Sequence, residues 1–231
     1  MKKKTLSSEQ IDKLYIFTRQ HYVEWYDLQT ELVDHLANSI EEQLQENPKL
    51  SFETALNIEF KKFGIFGFMD VVDQRRIALK KKYNNLIWKH FKEFFTIPKI
   101  IVTLFMVFIL DYFIQSYGMV LPLFLTLIAF LFIGISYMFI KNKIQFKKTG
   151  KKWLFKDIIF GYSSFSSIFY IQLQFMSRID ESTTFSVFWS FFFSFLITSF
   201  VLLEYIICVE IPSKADEYLK QTYPEYQLEK L

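Results

Sequence analysis

The strongest constraint on this chain is a set of long charge-free runs in its C-terminal two-thirds. Met119–Ile140 carries no charge in 22 residues, and Phe185–Leu203 carries none either. Ile100–Leu110 is apolar except for Thr103, and the pattern runs past Asp111 to Tyr117. A bilayer core of ~30 Å takes about 20 helical residues, so these runs read as transmembrane helices over about 97–117, 119–140 and 185–207. A fourth run, Leu154–Met176, is more polar and holds Lys156, Asp157, four Ser and two Gln. Two arguments admit it as a span. Without it, Ile158-Ile159-Phe160 and Ile168-Phe169-Tyr170-Ile171 have no apolar surroundings. An even number of spans also fits the charges.

Lys and Arg in short loops mark the cytoplasmic side. Lys80-Lys81-Lys82, Lys89, Lys92 and Lys99 precede the first span, and no charge lies between Gln115 and Met119. Seven Lys, at 141, 143, 147, 148, 151, 152 and 156, fill the next link. Ser177–Thr184 has one Arg against Asp180 and Glu181, and the tail after Ile211 carries Lys214, Lys220 and Lys230. Basic and non-basic sides alternate, which predicts four helices over 97–211 with both termini in the cytoplasm, residues 212–231 being a cytoplasmic tail. Residues 1–30 have no apolar core, so no secretory signal is expected.

Residues 1–95 carry 15 Lys/Arg and 14 Asp/Glu and read as soluble. Ser7 stands three residues before Gln10, the spacing of a capping box, and opens a helix of roughly 8–22. Asp27 can cap a second helix, where Leu28, Leu32, Leu36, Ile40 and Leu44 recur every fourth residue and Val33 and Ala37 widen the stripe. Asn47-Pro48 ends it. Ser51 can cap a third helix with Phe52, Ala55, Leu56 and Phe63 as buried candidates, closed by Gly64 in the left-handed position. A fourth helix starts near Phe68 or Met69 and runs towards the membrane. The fold class is therefore all-α: a small cytoplasmic helical bundle (1–80), a basic aromatic connector (81–96) and a four-helix transmembrane bundle.

The string Glu31-Leu32-Val33-Asp34-His35-Leu36, followed by Ser51-Phe52-Glu53-Thr54-Ala55 and Lys62-Phe63-Gly64, resembles the HAAS signalling domain and the related permease prefix domain of bacterial ABC permeases. The resemblance covers about residues 6–80. Thr54 separates Glu53 from Ala55, and Pro48-Lys49-Leu50 fills a turn where Gly is commoner. The resemblance implies a multi-pass protein of the bacterial inner membrane. Its helical domain would meet a cytoplasmic partner protein, often a PadR-like regulator.

Each candidate site residue also has a structural reading. Glu31 and His35 lie i,i+4 on one face. A metal site there would need His21 or Asp34 as a third ligand, whereas the plain alternative is hydrogen bonding at the domain rim. Trp25 and Tyr26 suit a partner-binding hot spot or a filled bundle junction. Asp111 lies 14 residues beyond Ile97, ~21 Å into the core, and must find a partner, face the bundle interior or be protonated. It is either a relay acid or a packing acid, with Tyr112, Gln115 and Gln172–Gln174 as its nearest polar options. Glu204 falls in the opposite leaflet, within reach of Lys156 or Lys152. The third span, with Lys156, Asp157, Ser163, Ser164 and Ser167, reads as the bundle centre or a dimer contact, since small residues allow close helix approach. Lys80, Lys81, Lys82, Lys147, Lys148, Lys151 and Lys152 suit an anionic lipid surface.

The single cysteine, Cys208, excludes an intrachain disulfide and a multi-Cys metal site. Histidines only at 21, 35 and 90 leave little for a His-based one, so neither metal nor cofactor is expected. A net charge of +3 gives no reason to expect direct nucleic-acid binding. No phosphate loop, nucleophile–base pair or paired catalytic carboxylate is visible. The reading is a non-enzymatic membrane protein that docks a cytoplasmic partner, contacts membrane lipids and can self-associate. The alternative is a small transporter or transport-complex subunit using the third span and Asp111.

Overall fold

Helix starts in the N-terminal region follow their capping chemistry. The Ser7 hydroxyl accepts from the Gln10 amide while the Gln10 side chain accepts from the Ser7 amide, opening α1 (Ser8–Gln20). The Ser51 hydroxyl accepts from the Thr54 amide and opens α3 (Phe52–Lys61). Between them α2 (Tyr26–Glu46) starts one residue before Asp27. Asp27 is thus the second residue of the helix, not its cap, and its carboxylate is used elsewhere.

These elements belong to a computed structural model, which describes residues 5–117, 150–163, 186–223 and the isolated positions 129, 132–133, 136–137, 139–140, 143–144 and 226. Among the described residues the chain is helical and has no strand. The remaining long helices are α4 (Met69–Glu93), α5 (Lys99–Tyr117), α6 (Leu154–Ser163) and α7 (Val187–Tyr205). A π-helical stretch, Ile206–Glu210, follows α7, and then come α8 (Ile211–Ser213) and α9 (Ala215–Thr222). Most of the expected second span and most of the third lie outside the described residues.

The chain divides into two compact units. Unit 1 is Met1–Lys80 together with Thr149–Asp157. Its core is the predicted stripe of α2: Leu28, Leu32, Val33, Leu36, Ala37, Ile40 and Leu44 are all buried, against Leu14 of α1 and Phe52, Ala55 and Leu56 of α3. Each such Leu or Ile stabilises the fold by about 1.5–3 kcal/mol relative to an exposed position. Phe17, His21, Phe60, Phe63 and Phe68 form a second cluster, with ring centroids 4.1–6.2 Å apart along its contacts. The turn into α4 needs glycine twice. Gly64 has φ +78°, in the left-handed region. Gly67 has φ +55°, and a Cβ on it would stand 3.0 Å from the Phe60 ring.

Unit 2 is Lys81–Lys148 with Ile158–Leu231. The α5 and α7 helices pack against each other in antiparallel fashion. Asp111 faces Ser190, Phe108 faces Phe191, and Phe95, just before α5, faces Phe195. Thr103, Val107 and Leu110 are buried on α5, and Ser190, Ser194, Ile197, Thr198, Val201 and Leu202 on α7. The α7 face carries Ser190, Ser194 and Thr198 at four-residue spacing, and small side chains let two helices approach closely. Ser194 and Thr198 return their hydroxyl protons to the carbonyls four residues back, which satisfies both buried donors. Within this unit part of the expected tail, Ala215–Thr222, is helical. Lys82 donates to Thr222 at 2.8 Å and His90 meets the Tyr218 hydroxyl at 2.7 Å, so α9 lies antiparallel along the second half of α4.

Among the described residues, two helices are long and apolar enough to cross a membrane: Lys99–Ser116, and the continuous stretch Val187–Ser213. Their outward faces remain apolar. Ile101, Val102, Phe105 and Phe108 are 58–66% exposed, and Val187, Phe188 and Trp189 are 52–71% exposed.

Candidate functional site

In unit 1 the N-terminus of α2 receives the chain segment 150–157. The Tyr26 amide donates to the Lys152 carbonyl at 2.8 Å. The Asp27 carboxylate accepts from the Leu154 amide at 3.1 Å in a buried setting. This places an anion at the N-terminus of α6, where the free amides and the helix dipole favour it. The Trp25 indole donates to Asp157 at 3.2 Å, and the Arg76 guanidinium lies 5.1 Å from the Trp25 ring. Tyr26 stacks on Tyr15 at 6.3 Å, meets Trp153 edge-on at 5.5 Å and has the Lys151 ammonium 4.0 Å over its ring. Trp153, Leu154 and Phe155 are at most 3% exposed. Lys152 bonds Glu24 at 2.7 Å, and the Glu24 carboxylate, aided by Asp157, holds the Lys152 ammonium above its ordinary value against the effect of burial.

The clasp engages several of the expected site residues. Trp25 and Tyr26, read as a hot spot or a bundle junction, seat a distant segment of the same chain. Lys156 and Asp157, placed inside the third span by sequence, belong to unit 1, because the apolar Trp153-Leu154-Phe155 that precedes them is buried there. Lys151 and Lys152, read as lipid-surface charges, hold Tyr26 and Glu24. Lys147, Lys148, Ser164 and Ser167 lie outside the described residues, and of Ser163 only the helical backbone is described. Lys80, Lys81 and Lys82 stand exposed on α4.

Glu31, Asp34 and His35 stand exposed on α2. Glu31 approaches Arg75 at 3.9 Å and His35 meets the Phe63 ring at 5.9 Å. His21 points elsewhere: its Nδ1 lies 2.8 Å from the Phe17 carbonyl and its ring is packed among Phe17, Phe60 and Phe68. The structure therefore gathers no metal site from Glu31, His35 and His21. Beyond Phe63, the turn carries Ile65, 99% exposed, and Phe66, 70% exposed.

In unit 2, Asp111 is satisfied. Ser190 donates to Oδ1 at 2.5 Å and Gln115 to Oδ2 at 2.9 Å. Gln115 was an expected partner; Ser190 was not. Glu204 is 2% exposed in α7.

Sequence reasoning missed the second polar cluster of this unit. His90 of α4 is 6% exposed. Its Nδ1 lies 3.2 Å from Glu210 Oε1 and 3.5 Å from Glu93 Oε2. Lys99 reaches Glu93 at 3.2 Å and Lys214 reaches Glu210 at 3.1 Å. Burial alone raises the Glu93 carboxyl, but Lys99, His90 and Lys89 together outweigh it, so the group sits below its ordinary value. Burial alone lowers Lys214, and Glu210 chiefly reverses that. Burial also keeps the Tyr218 phenol above its ordinary value, so its hydroxyl is intact beside His90. Compared with known proteins, the chain matches no family model, no curated protein and no solved structure.

Proposed function

We propose that this is a multi-pass membrane protein whose N-terminal helical unit docks a cytoplasmic partner protein in a non-enzymatic signalling or scaffolding role. The observation that carries the docking reading is the exposed Ile65-Phe66 tip. It is held between two positive-φ glycines and adjoins, through Phe63, the exposed Glu31–Asp34–His35 edge of α2. Exposed apolar side chains ringed by charge are what protein interfaces use as anchors. The HAAS-like motif covers this edge, and a PadR-like regulator is the class of partner it implies. The membrane reading is supported by the outward apolar faces of α5 and α7, which would be a large aggregation liability in water. On this reading both termini are cytoplasmic in a bacterial inner membrane.

The transporter alternative has less support. Asp111 has hydrogen bonds on both carboxylate oxygens, which suits an acid that fixes helix packing.

The docking reading is tested with a photo-crosslinking residue at position 66 of the full chain in living cells. A discrete adduct with one cytoplasmic protein, reduced by Ile65→Ser, is expected. Adducts with lipid alone, or none, would contradict it.

A further inference from the structure

We propose that His90, Glu93 and Glu210 form a binding site for a divalent first-row transition metal, with Zn2+ as the reference ion. The three residues come from the end of α4 and from the π-helical stretch after α7, and their donor atoms all lie within 4.8 Å of one another. An imidazole with two carboxylates is a donor set for Zn2+ and its neighbours. Around a tetrahedral ion with bonds of about 2.0–2.1 Å, donor atoms stand roughly 3.3 Å apart. The separations at His90 Nδ1, 3.2 and 3.5 Å, fit that spacing.

Two buried atoms point to a ligand. His90 Nδ1 and Glu210 Oε2 are both buried, and neither has a hydrogen-bond partner. Buried polar atoms left in this state cost about 1–3 kcal/mol each, more when charged. The His90 ring is already oriented from behind, because Nε2 holds the Tyr218 hydroxyl at 2.7 Å. In the tautomer where Tyr218 accepts from Nε2–H, the Nδ1 lone pair faces two carboxylates and is free to ligate a cation; in the other tautomer Nδ1–H points at Glu210 and must lose its proton for a metal to bind. A bond such as Nε2–H to Tyr218 fixes the tautomer of a metal-bound histidine. Lys99 and Lys214 now neutralise the carboxylates through Glu93 Oε2 and Glu210 Oε1. Both lysine side chains are more than two-fifths exposed, so an incoming dication can displace them into water. The wide π turn puts Glu210 in this position, and such turns occur often at functional sites.

The competing occupant is a proton, which would make His90 an imidazolium paired with Glu210. The experiment separates the two. Full-length protein in lipid nanodiscs is stripped with chelator and titrated with Zn2+ at neutral pH, with Co2+ as a spectroscopic probe. One equivalent is expected per chain, with a tetrahedral Co2+ spectrum. His90→Ala and Glu210→Gln should each weaken binding at least about tenfold, while His35→Ala leaves it intact. Lys99→Ala should tighten it, an effect that a loss of folding cannot mimic. Nitrogen-15 histidine spectra of the unaltered protein should show His90 Nδ1 shifting on metal addition. No bound metal, equal binding by His90→Ala, or an unshifted Nδ1 would each overturn the proposal.

Discussion

At the scale of single residues, Asp27 shows how one side chain can be read correctly in type and wrongly in task. A carboxylate near the start of α2 suggests a cap for that helix, but the structure uses it on the Leu154 amide, 127 positions away. Asp27→Ala removes a buried charge-assisted bond. It should lower unfolding stability by about 1–3 kcal/mol and raise proteolysis near residue 152, both measurable on the full chain in detergent. Unchanged stability would show that the carboxylate contributes nothing there. Gly67→Ala meets both a positive φ and the Phe60 ring, and should cost about 1–3 kcal/mol by denaturant titration. A neutral result would mean that the turn relaxes freely. Asp111→Ala should weaken the α5–α7 contact by about 0.6–1.7 kcal/mol, the range of interhelical hydrogen bonds in membranes. Asp111→Asn, which can still accept from Ser190, should cost less. Equal losses in the two variants would favour a role for the charge itself.

At the scale of elements, legibility followed locality. The α2 stripe, the Ser7 and Ser51 caps and the turn at Gly64 were readable because each depends on residues within one or two turns. The clasp was not readable. Its signal, the apolar Trp153-Leu154-Phe155 beside four lysines, also fits a helix entering a membrane, and only tertiary packing decides between the two. The His90–Glu210 cluster was hidden for the same reason, since 210 − 90 = 120 positions separate its ends. The helix α9 was read as tail because Ala215–Thr222 is short and polar; Leu219, buried among its charges, was the available clue. The clasp also has a pH signature. Lys152 is held above its ordinary 10.5 by Glu24, so its contribution is complete below that value and is lost as pH rises through the higher folded value. Wild type and Glu24→Gln should therefore differ in melting temperature by a constant amount up to about pH 10 and converge above it. Convergence on acidification to about pH 6 would contradict the assignment.

At the scale of the whole molecule, two facts frame the function. The segment 149–157, which the sequence places in the basic link before the third span and in that span's first residues, belongs to the same compact unit as residues 1–80. The two described helices long enough to cross a membrane keep many large apolar side chains outward. On the proposed reading, the chain would leave the membrane between its spans and return to its own N-terminal bundle. The most direct test of that claim is cysteine accessibility in a Cys208→Ser background, using single cysteines at Glu9, Lys81 and Lys151 in right-side-out and inverted membranes. The account predicts that all three are protected from an impermeant thiol reagent in right-side-out vesicles and labelled in inverted ones. Labelling of position 151 from the side opposite to position 9 would contradict it.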